Sequence, residues 1–308
     1  MSSTLVFGEI SALPVPASLL GESPFWHPQE QQLYWCDIPG RFINCWNPVS
    51  EQHRQWPVPS EPGSMAPLLG GGLLVAMRDG LWRFDPDTGT REAVASPPYD
   101  PGQQRFNDGK ADAQGRLWVG TIDDRRLPQA ALYCFDPDRP AGQRLQRAAD
   151  GVTVSNGLAF SADGHRLYWS DTKAHQVTVF DLDPSTGGLS NRQLFKQFEP
   201  RADGQPLAQY GGRPDGAAVD AEGAYWVAMF EGQRLLRLAA DGTELAELKL
   251  PVRCPTMPCF GGPDLKTLYI TTARENRPAD ELAVQTLAGC VLRLEVSVPG
   301  VPVNMARL

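Results

Sequence analysis

The stretch Arg105-Phe-Asn-Asp-Gly-Lys-Ala-Asp-Ala-Gln-Gly-Arg-Leu-Trp-Val-Gly-Thr121 decides how the rest of the chain is read. It opens with three polar groups able to do chemistry, Arg105, Asn107 and Asp108, followed by Gly109. A tight turn, Asp112-Ala-Gln-Gly115, then leads into an apolar strand from Leu117 to Gly120. Polar opening, short strand, glycine turn and apolar strand together describe a β-hairpin whose first strand begins with functional groups.

The same plan recurs along the chain, and a recurring unit is the first thing to look for. One series is a strand rich in apolar and aromatic residues: Leu33-Tyr-Trp-Cys-Asp37, Leu73-Leu-Val-Ala-Met77, Leu117-Trp-Val-Gly-Thr121, Leu167-Tyr-Trp-Ser-Asp171, Tyr225-Trp-Val-Ala-Met229 and Leu268-Tyr-Ile-Thr-Thr272. A second series follows each member of the first. It comprises Phe42–Asn47, Leu81–Asp85, Leu132–Asp136, Val177–Asp181, Leu235–Ala239 and Val291–Glu295. Apolar and polar residues alternate within it, the period of a half-buried strand. Weak outer strands such as Thr90–Val94 and Leu245–Lys249 complete the units. Four antiparallel strands per unit, repeated every ~40–50 residues, specify a β-propeller. Six copies predict an all-β, six-bladed propeller of four-stranded antiparallel blades occupying residues 1–308 as a single domain. No segment has clear helical periodicity. The leftover N-terminal stretch Leu5-Val-Phe-Gly8 is expected to complete the last blade, because an open ring would expose unpaired strand edges.

Composition narrows the function. The net charge of −8 argues against nucleic acid, whose phosphates require a basic surface. No run approaches the ~20 apolar residues of a membrane helix. The N-terminus lacks the basic and apolar regions of a signal peptide. Six cysteines with no CxxC pair suggest reduced thiols rather than disulfides or a zinc knuckle. A cytoplasmic protein that binds neither nucleic acid nor membrane is the expectation.

In a propeller the innermost strand of each blade lines the central channel. Aligning the six openings gives Glu22, Met65, Asp108 or its neighbour Asn107, Asn156, Asp215 and Thr256. Carboxylates and an amide converging on one axis repel unless a cation lies between them. Oxygen-only donors favour Ca²⁺, Mg²⁺ or Mn²⁺, with Zn²⁺ also acceptable. Glu22, Asn156 and Asp215 would leave positions open for water and substrate, as a catalytic centre requires. No Ser-His-Asp arrangement, nucleophile elbow or phosphate-binding glycine loop is present.

Gly21-Glu-Ser-Pro-Phe-Trp26, Arg105-Phe-Asn-Asp-Gly-Lys110, Leu117–Thr121, Ser155-Asn-Gly-Leu-Ala-Phe160, Leu167-Tyr-Trp-Ser-Asp-Thr172 and Pro214-Asp-Gly216 occur in one order across most of the chain. Together they resemble the regucalcin-like SMP-30/gluconolactonase/luciferin-regenerating-enzyme family, which includes bacterial sugar lactonases. The resemblance implies a six-bladed propeller holding a single divalent cation on Glu22, Asn156 and Asp215, with Arg105 and Asn107 beside it for substrate. Family members often carry an acidic residue shortly after a Gly-Thr-Met. Here the text is Gly120-Thr-Ile-Asp-Asp-Arg125, so Asp123 or Asp124 is the candidate, with Asp124 the chosen substrate contact. Asp108 is assigned to orienting Arg105 or to meeting the ion through water. The expected reaction is hydrolysis of a sugar lactone by an activated water, with Asp215 taking its proton. Two other readings stand beside it: a phosphoester or phosphofluoridate hydrolase on the same ion, and a non-catalytic calcium-binding propeller. The sugar, the cellular ion and the oligomeric state are left open.

Overall fold

The structure, a computed structural model, describes residues 5–308. Six four-stranded antiparallel sheets form the blades of a propeller. Blade 1 comprises Gly21–His27, Gln32–Asp37, Phe42–Asn47 and Gln52–Pro57, in that order from the axis outward. The innermost strands of blades 2 to 6 are Pro62–Pro67, Gln104–Ala111, Ser155–Phe160, Arg213–Val219 and Pro255–Gly261. The little helix present is confined to one α-helical segment, Ala279–Val284, and one 3₁₀ turn, Leu207–Gln209, both in connections.

The two strand patterns in the sequence have a packing cause. The second strand of each blade is covered on both faces by neighbouring blades. Leu33–Cys36 and Leu73–Met77 are accordingly sealed from solvent, and continuous apolar runs suit such strands. The third strand is covered less uniformly, Gln176–Leu182 being interrupted by partly exposed residues while Phe42–Asn47 is buried over its centre; the fourth, such as Arg91–Ala95, lies at the rim. The core therefore sits between blades rather than within them. Phe25, Tyr34 and Cys36 of blade 1 pack on Met65, Val75 and Met77 of blade 2.

Every innermost strand loses register at the same level. The shift falls between Glu22 and Phe25, Pro62 and Ser64, Phe106 and Gly109, Asn156 and Ala159, Pro214 and Ala217, and Pro255 and Met257. A bulge bends its strand and re-aims the side chains beside it. Repeated six times around an axis, it turns one side chain per blade toward a common centre. The register identifies those positions. Glu22 stands opposite Cys36 and Asn156 opposite Ser170. By the same register Asn107, rather than Asp108, belongs to the ring, since Phe106 stands opposite Thr121. In blade 2 the equivalent residue is Ser64, opposite Ala76, and not Met65 as the aligned openings suggested.

Closure uses both chain ends. Ser11–Ala12 forms the outer strand of blade 6 against Leu292–Glu295, and Phe7 makes an isolated bridge to Val296. The stretch Leu5–Gly8 takes part in closing the last blade, Gly8 N donating to Glu295 O at 2.8 Å, and Ser11–Ala12 continues the pairing as its outer strand. The C-terminal tail crosses the rear of the channel, with Val301 N donating to Val219 O and Ala306 N to Pro67 O. In front of it lies a cavity of about 190 Å³, whose lining includes Pro24, Lys110, Cys259 and Asn304.

Candidate active site

The bulged ends of blades 1, 3, 4 and 5 bring Glu22, Arg105, Asn107, Asn156 and Asp215 to the front of the channel. One hydrogen-bonded chain joins four of them. Arg105 Nη1 donates to Asn107 Oδ1 at 2.6 Å, and Asn107 Nδ2 donates to Asn156 Oδ1 at 2.7 Å. Asn156 Nδ2 then donates to Asp215 Oδ1 at 2.6 Å and to Thr172 Oγ1 at 2.8 Å. Residues 49 to 59 positions apart in sequence are therefore in direct contact. Glu22, Asn107, Asn156 and Asp215 are all buried.

Electrostatics sets this cluster apart from ordinary buried polar groups. Glu22 has only a long 3.3 Å contact from the Ser23 amide. Burial, then the charges of Asp215 and Asp108, hold its carboxyl well above the usual range. Burial, then Asp108, pushes Asp215 up to about 8, against the pull of Arg213, Arg105 and Asn156. Buried carboxylates without a countercharge are costly. Two of them close together, with the Asn156 amide alongside, would suit a hard divalent cation, to which Asn156 would turn its oxygen. Among the described residues no three His, Cys, Asp or Glu side chains cluster around one point. The neighbouring polar group is the neutral amide of Asn156, whose oxygen accepts from Asn107 and whose nitrogen donates to Asp215.

Asp108 lies one residue past the ring position. Its Oδ2 accepts the Leu158 amide at 2.8 Å, tying blade 3 to blade 4. Its Oδ1 is buried without a hydrogen-bond partner, and it makes no hydrogen bond to Arg105. Burial raises its carboxyl, and Lys110 opposes that shift. Arg105 donates through Nη1 to Phe106 O and Asn107, leaving Nη2 and Nε available. Burial, then the guanidiniums of Arg126 and Arg78, hold it down to about 10.

The two acids after Gly120 take different roles. Asp123 is sealed from solvent and accepts from the amides of Arg125 and Leu127 and from the Arg125 guanidinium. It is a turn-capping acid. Asp124 is exposed at the rim and grips both terminal nitrogens of Arg78, at 3.0 and 3.2 Å.

Sequence reasoning overlooked the groups that hold the ring residues in place. Asp37 ends the second strand of blade 1 and accepts the amides of Leu19 and Leu20, two residues ahead of Glu22. Asp171 does the same for Thr153 and Val154, two residues ahead of Asn156. The signal was the shared Leu-Tyr-Trp-x-Asp pattern, whose last residue is a clamp and not merely a strand end. Gly157 is left-handed, with φ 60°, and a Cβ there would strike the Ser170 hydroxyl. Only glycine lets the bulge after Asn156 close this tightly.

Fold and site together define a propeller of the kind that gathers oxygen donors from separate blades at one end of its axis. A sequence profile described as the SMP-30/Gluconolactonase/LRE-like region matches residues 20–274. The chain belongs to that family. It is 43% identical to a 6-deoxy-6-sulfogluconolactonase of Pseudomonas putida, over 92% of this chain and 93% of that protein. It is 36% identical to regucalcin of Danio rerio, again over 92% and 93%. Among solved structures, a calcium-binding regucalcin from Agrobacterium tumefaciens superposes with a TM-score of 0.88 at 26% identity, covering 98% of both chains.

Proposed function

We propose that this protein hydrolyses the ring ester of a sugar lactone of the aldonolactone type. The observation carrying the reading is the continuous Arg105–Asn107–Asn156–Asp215 chain beside the underpartnered Glu22 carboxylate. The lactonase relative at 43% identity supports it. Glu22, Asn156 and Asp215 would hold one divalent cation, calcium or another hard ion; a solved relative is described as calcium-binding. Such an ion, when bound, would polarise the lactone carbonyl and acidify water at the same point.

The protein's own groups supply the rest. Asp215 Oδ1 is fixed by Asn156, and its other oxygen is the acceptor for the proton of the attacking water. The free Nη2 and Nε of Arg105 donate to the oxyanion that forms as the carbonyl carbon becomes tetrahedral. Asn107 orients both Arg105 and Asn156, so substrate binding and metal holding share one amide. The unpartnered Oδ1 of Asp108 is an acceptor for a water or a sugar hydroxyl, and Asp124 keeps Arg78 at the rim beside the substrate. Opening the ring breaks the bond between acyl carbon and ring oxygen; the proton ends on the released hydroxyl and the acid product leaves ionised.

The six cysteines are free thiols, which supports a reducing, cytoplasmic location. No helix of the described residues is long and apolar enough to cross a membrane. The test is metal analysis of the purified protein with a lactone panel before and after EDTA. Turnover of an aldonolactone, lost on chelation and restored by Mn²⁺ or Ca²⁺, is expected. Hydrolysis of aryl phosphates but of no lactone would refute the reading.

A further inference from the structure

The innermost strand of each blade pairs on one edge only, with the second strand of its own blade. Its other edge faces the axis, and peptide groups there need partners from elsewhere. Side chains of other blades supply them. The Thr256 hydroxyl of blade 6 donates to Gly21 O, and the Ser23 hydroxyl of blade 1 accepts the Met65 amide of blade 2. Asp108 Oδ2 of blade 3 accepts the Leu158 amide of blade 4, and the Tyr225 hydroxyl of blade 5 donates to Gly157 O. Each of these bonds joins adjacent blades.

Lys110 reaches further. Its Nζ donates at 2.5 Å to the carbonyl of Ala217, 107 positions on, so it passes from blade 3 beyond blade 4 to blade 5. A four-carbon stem ending in an ammonium suits that span. Burial lowers the pKa of this ammonium, and Asp108, foremost among its neighbours, opposes the shift. A charged donor makes the stronger bond.

The place that Lys110 grips is specific. In blade 5 the ladder is interrupted between the Pro214–Met229 and Ala217–Val227 pairs, and Asp215 stands in the interruption. Ala217 is where pairing resumes, two residues past Asp215. Leu158, the residue held by Asp108, likewise lies two residues past Asn156. One segment of blade 3, Asn107-Asp-Gly-Lys110, therefore holds the strands of both Asn156 and Asp215 at the same offset.

Resting on the reading of Asp215 as metal ligand and proton acceptor, we infer that Lys110 is the positioning residue for Asp215. By fixing Ala217 from across the channel it sets where the bulge of blade 5 ends, and hence where the Asp215 carboxylate points. Asn156 steers the side chain of Asp215; Lys110 steers its backbone and touches neither substrate nor ion.

The experiment titrates metal-free protein with Mn²⁺ by calorimetry and follows hydrolysis of an aldonolactone at saturating Mn²⁺. K110M keeps the stem and removes the donor. It should weaken Mn²⁺ binding and lower kcat by about 10- to 100-fold each, the range seen when a group orienting a ligand is lost. KM should change by less than about threefold, because Arg105 and Asn107 stay in place on blade 3. K110R should recover most of both losses, since the cavity of about 190 Å³ that Lys110 lines leaves room for a guanidinium donating to the same carbonyl. N304A serves as the control in the same cavity wall. It removes the 3.2 Å bond from Asn304 Nδ2 to Ala111 O, and should lower the melting temperature without moving Mn²⁺ affinity or kcat. If circular dichroism shows K110M unfolded, K110Q, polar but too short to reach Ala217, takes its place with the same expected losses. Wild-type Mn²⁺ affinity and kcat in K110M or K110Q, or equal losses in N304A, overturn the inference and leave the lactonase reading standing. A wild type that binds Mn²⁺ but opens no lactone sinks that reading, and the Mn²⁺ titrations still decide the role of Lys110. A wild type that binds no Mn²⁺ removes both.

Discussion

Blades 1, 4 and 5 differ from blades 2 and 6 at one residue each, on the same backbone. All carry the inner-strand bulge at the same level. In the first group the re-aimed position is Glu22, Asn156 or Asp215; in the second the residues at the same register are Ser64 and Met257, with Thr256 in the bulge beside Met257. The Thr256 hydroxyl turns into the wall, donating to Gly21 O and sharing a 2.8 Å bond with Thr271. Ser64 Oγ is buried with no partner. The fold thus supplies six equivalent places, and side-chain chemistry chooses which become a site. Blade symmetry does not by itself produce a ring of ligands, and a hydroxyl at that place closes the wall instead.

The sharpest way to break this contrast is to exchange the two groups' properties. E22A and D215A should each reduce kcat on an aldonolactone by about 10³-fold or more, since ligand and proton acceptor go together. S64A, at the matching place of blade 2, and T256V, in the bulge of blade 6, should change it by less than about threefold. Steady-state kinetics on all four, with circular dichroism to check folding, tests this; a T256V loss as large as that of D215A would mean that every blade takes part in the chemistry.

A smaller effect sharpens the role of the clamps. D171A frees the amides of Thr153 and Val154 and should lower kcat/KM about tenfold through misplacement of Asn156. The amount of metal needed for half-maximal activity should rise with it. A fall in thermal stability with unchanged metal requirement would make Asp171 a purely structural residue.

The smallest expected effect is on stability and separates site from wall by its sign. Burial raises the Glu22 carboxyl and pushes Asp215 up to about 8. An unfolded carboxyl titrates near ~4. The folded state therefore holds protons that the unfolded state has released. This contribution to stability is complete below about pH 4 and is lost as pH rises toward about 8. Chelator-treated wild type should melt lower at about pH 8 than at about pH 5, and D215N should recover about 2–4 °C at the higher pH. Thermal melts in EDTA across that range measure it. A wild-type profile that is flat, or that D215N does not alter, removes the claim that these carboxylates lack a countercharge.

Much of this was legible from residues alone. Turn chemistry and two interleaved strand series are local signals, so blade number and strand order could be counted directly. Glu22, Asn156 and Asp215 are recognisable because each sits at the opening of a repeated strand, and Arg105 through its motif; Asn107 is legible only as a neighbour of Asp108. Elsewhere local signals gave out. Asp123 and Asp124 are adjacent acids that nothing nearby distinguishes, yet one caps a turn and the other pairs with Arg78, 46 positions away. The clamps Asp37 and Asp171 were visible as a pattern, but their partners lie 17 to 18 residues upstream in the entry loops.

The amino-acid order by itself determined the repeats, their alternation and hence a six-bladed ring, because hydrophobic period and turn residues act over a few neighbours. Tertiary structure alone decided that Asn107 and not Asp108 joins the ring, that Ser64 and not Met65 is its counterpart, and that Lys110 reaches the strand carrying Asp215. Those outcomes depend on a one-residue bulge and on which blades come side by side, and both are fixed only when the ring closes.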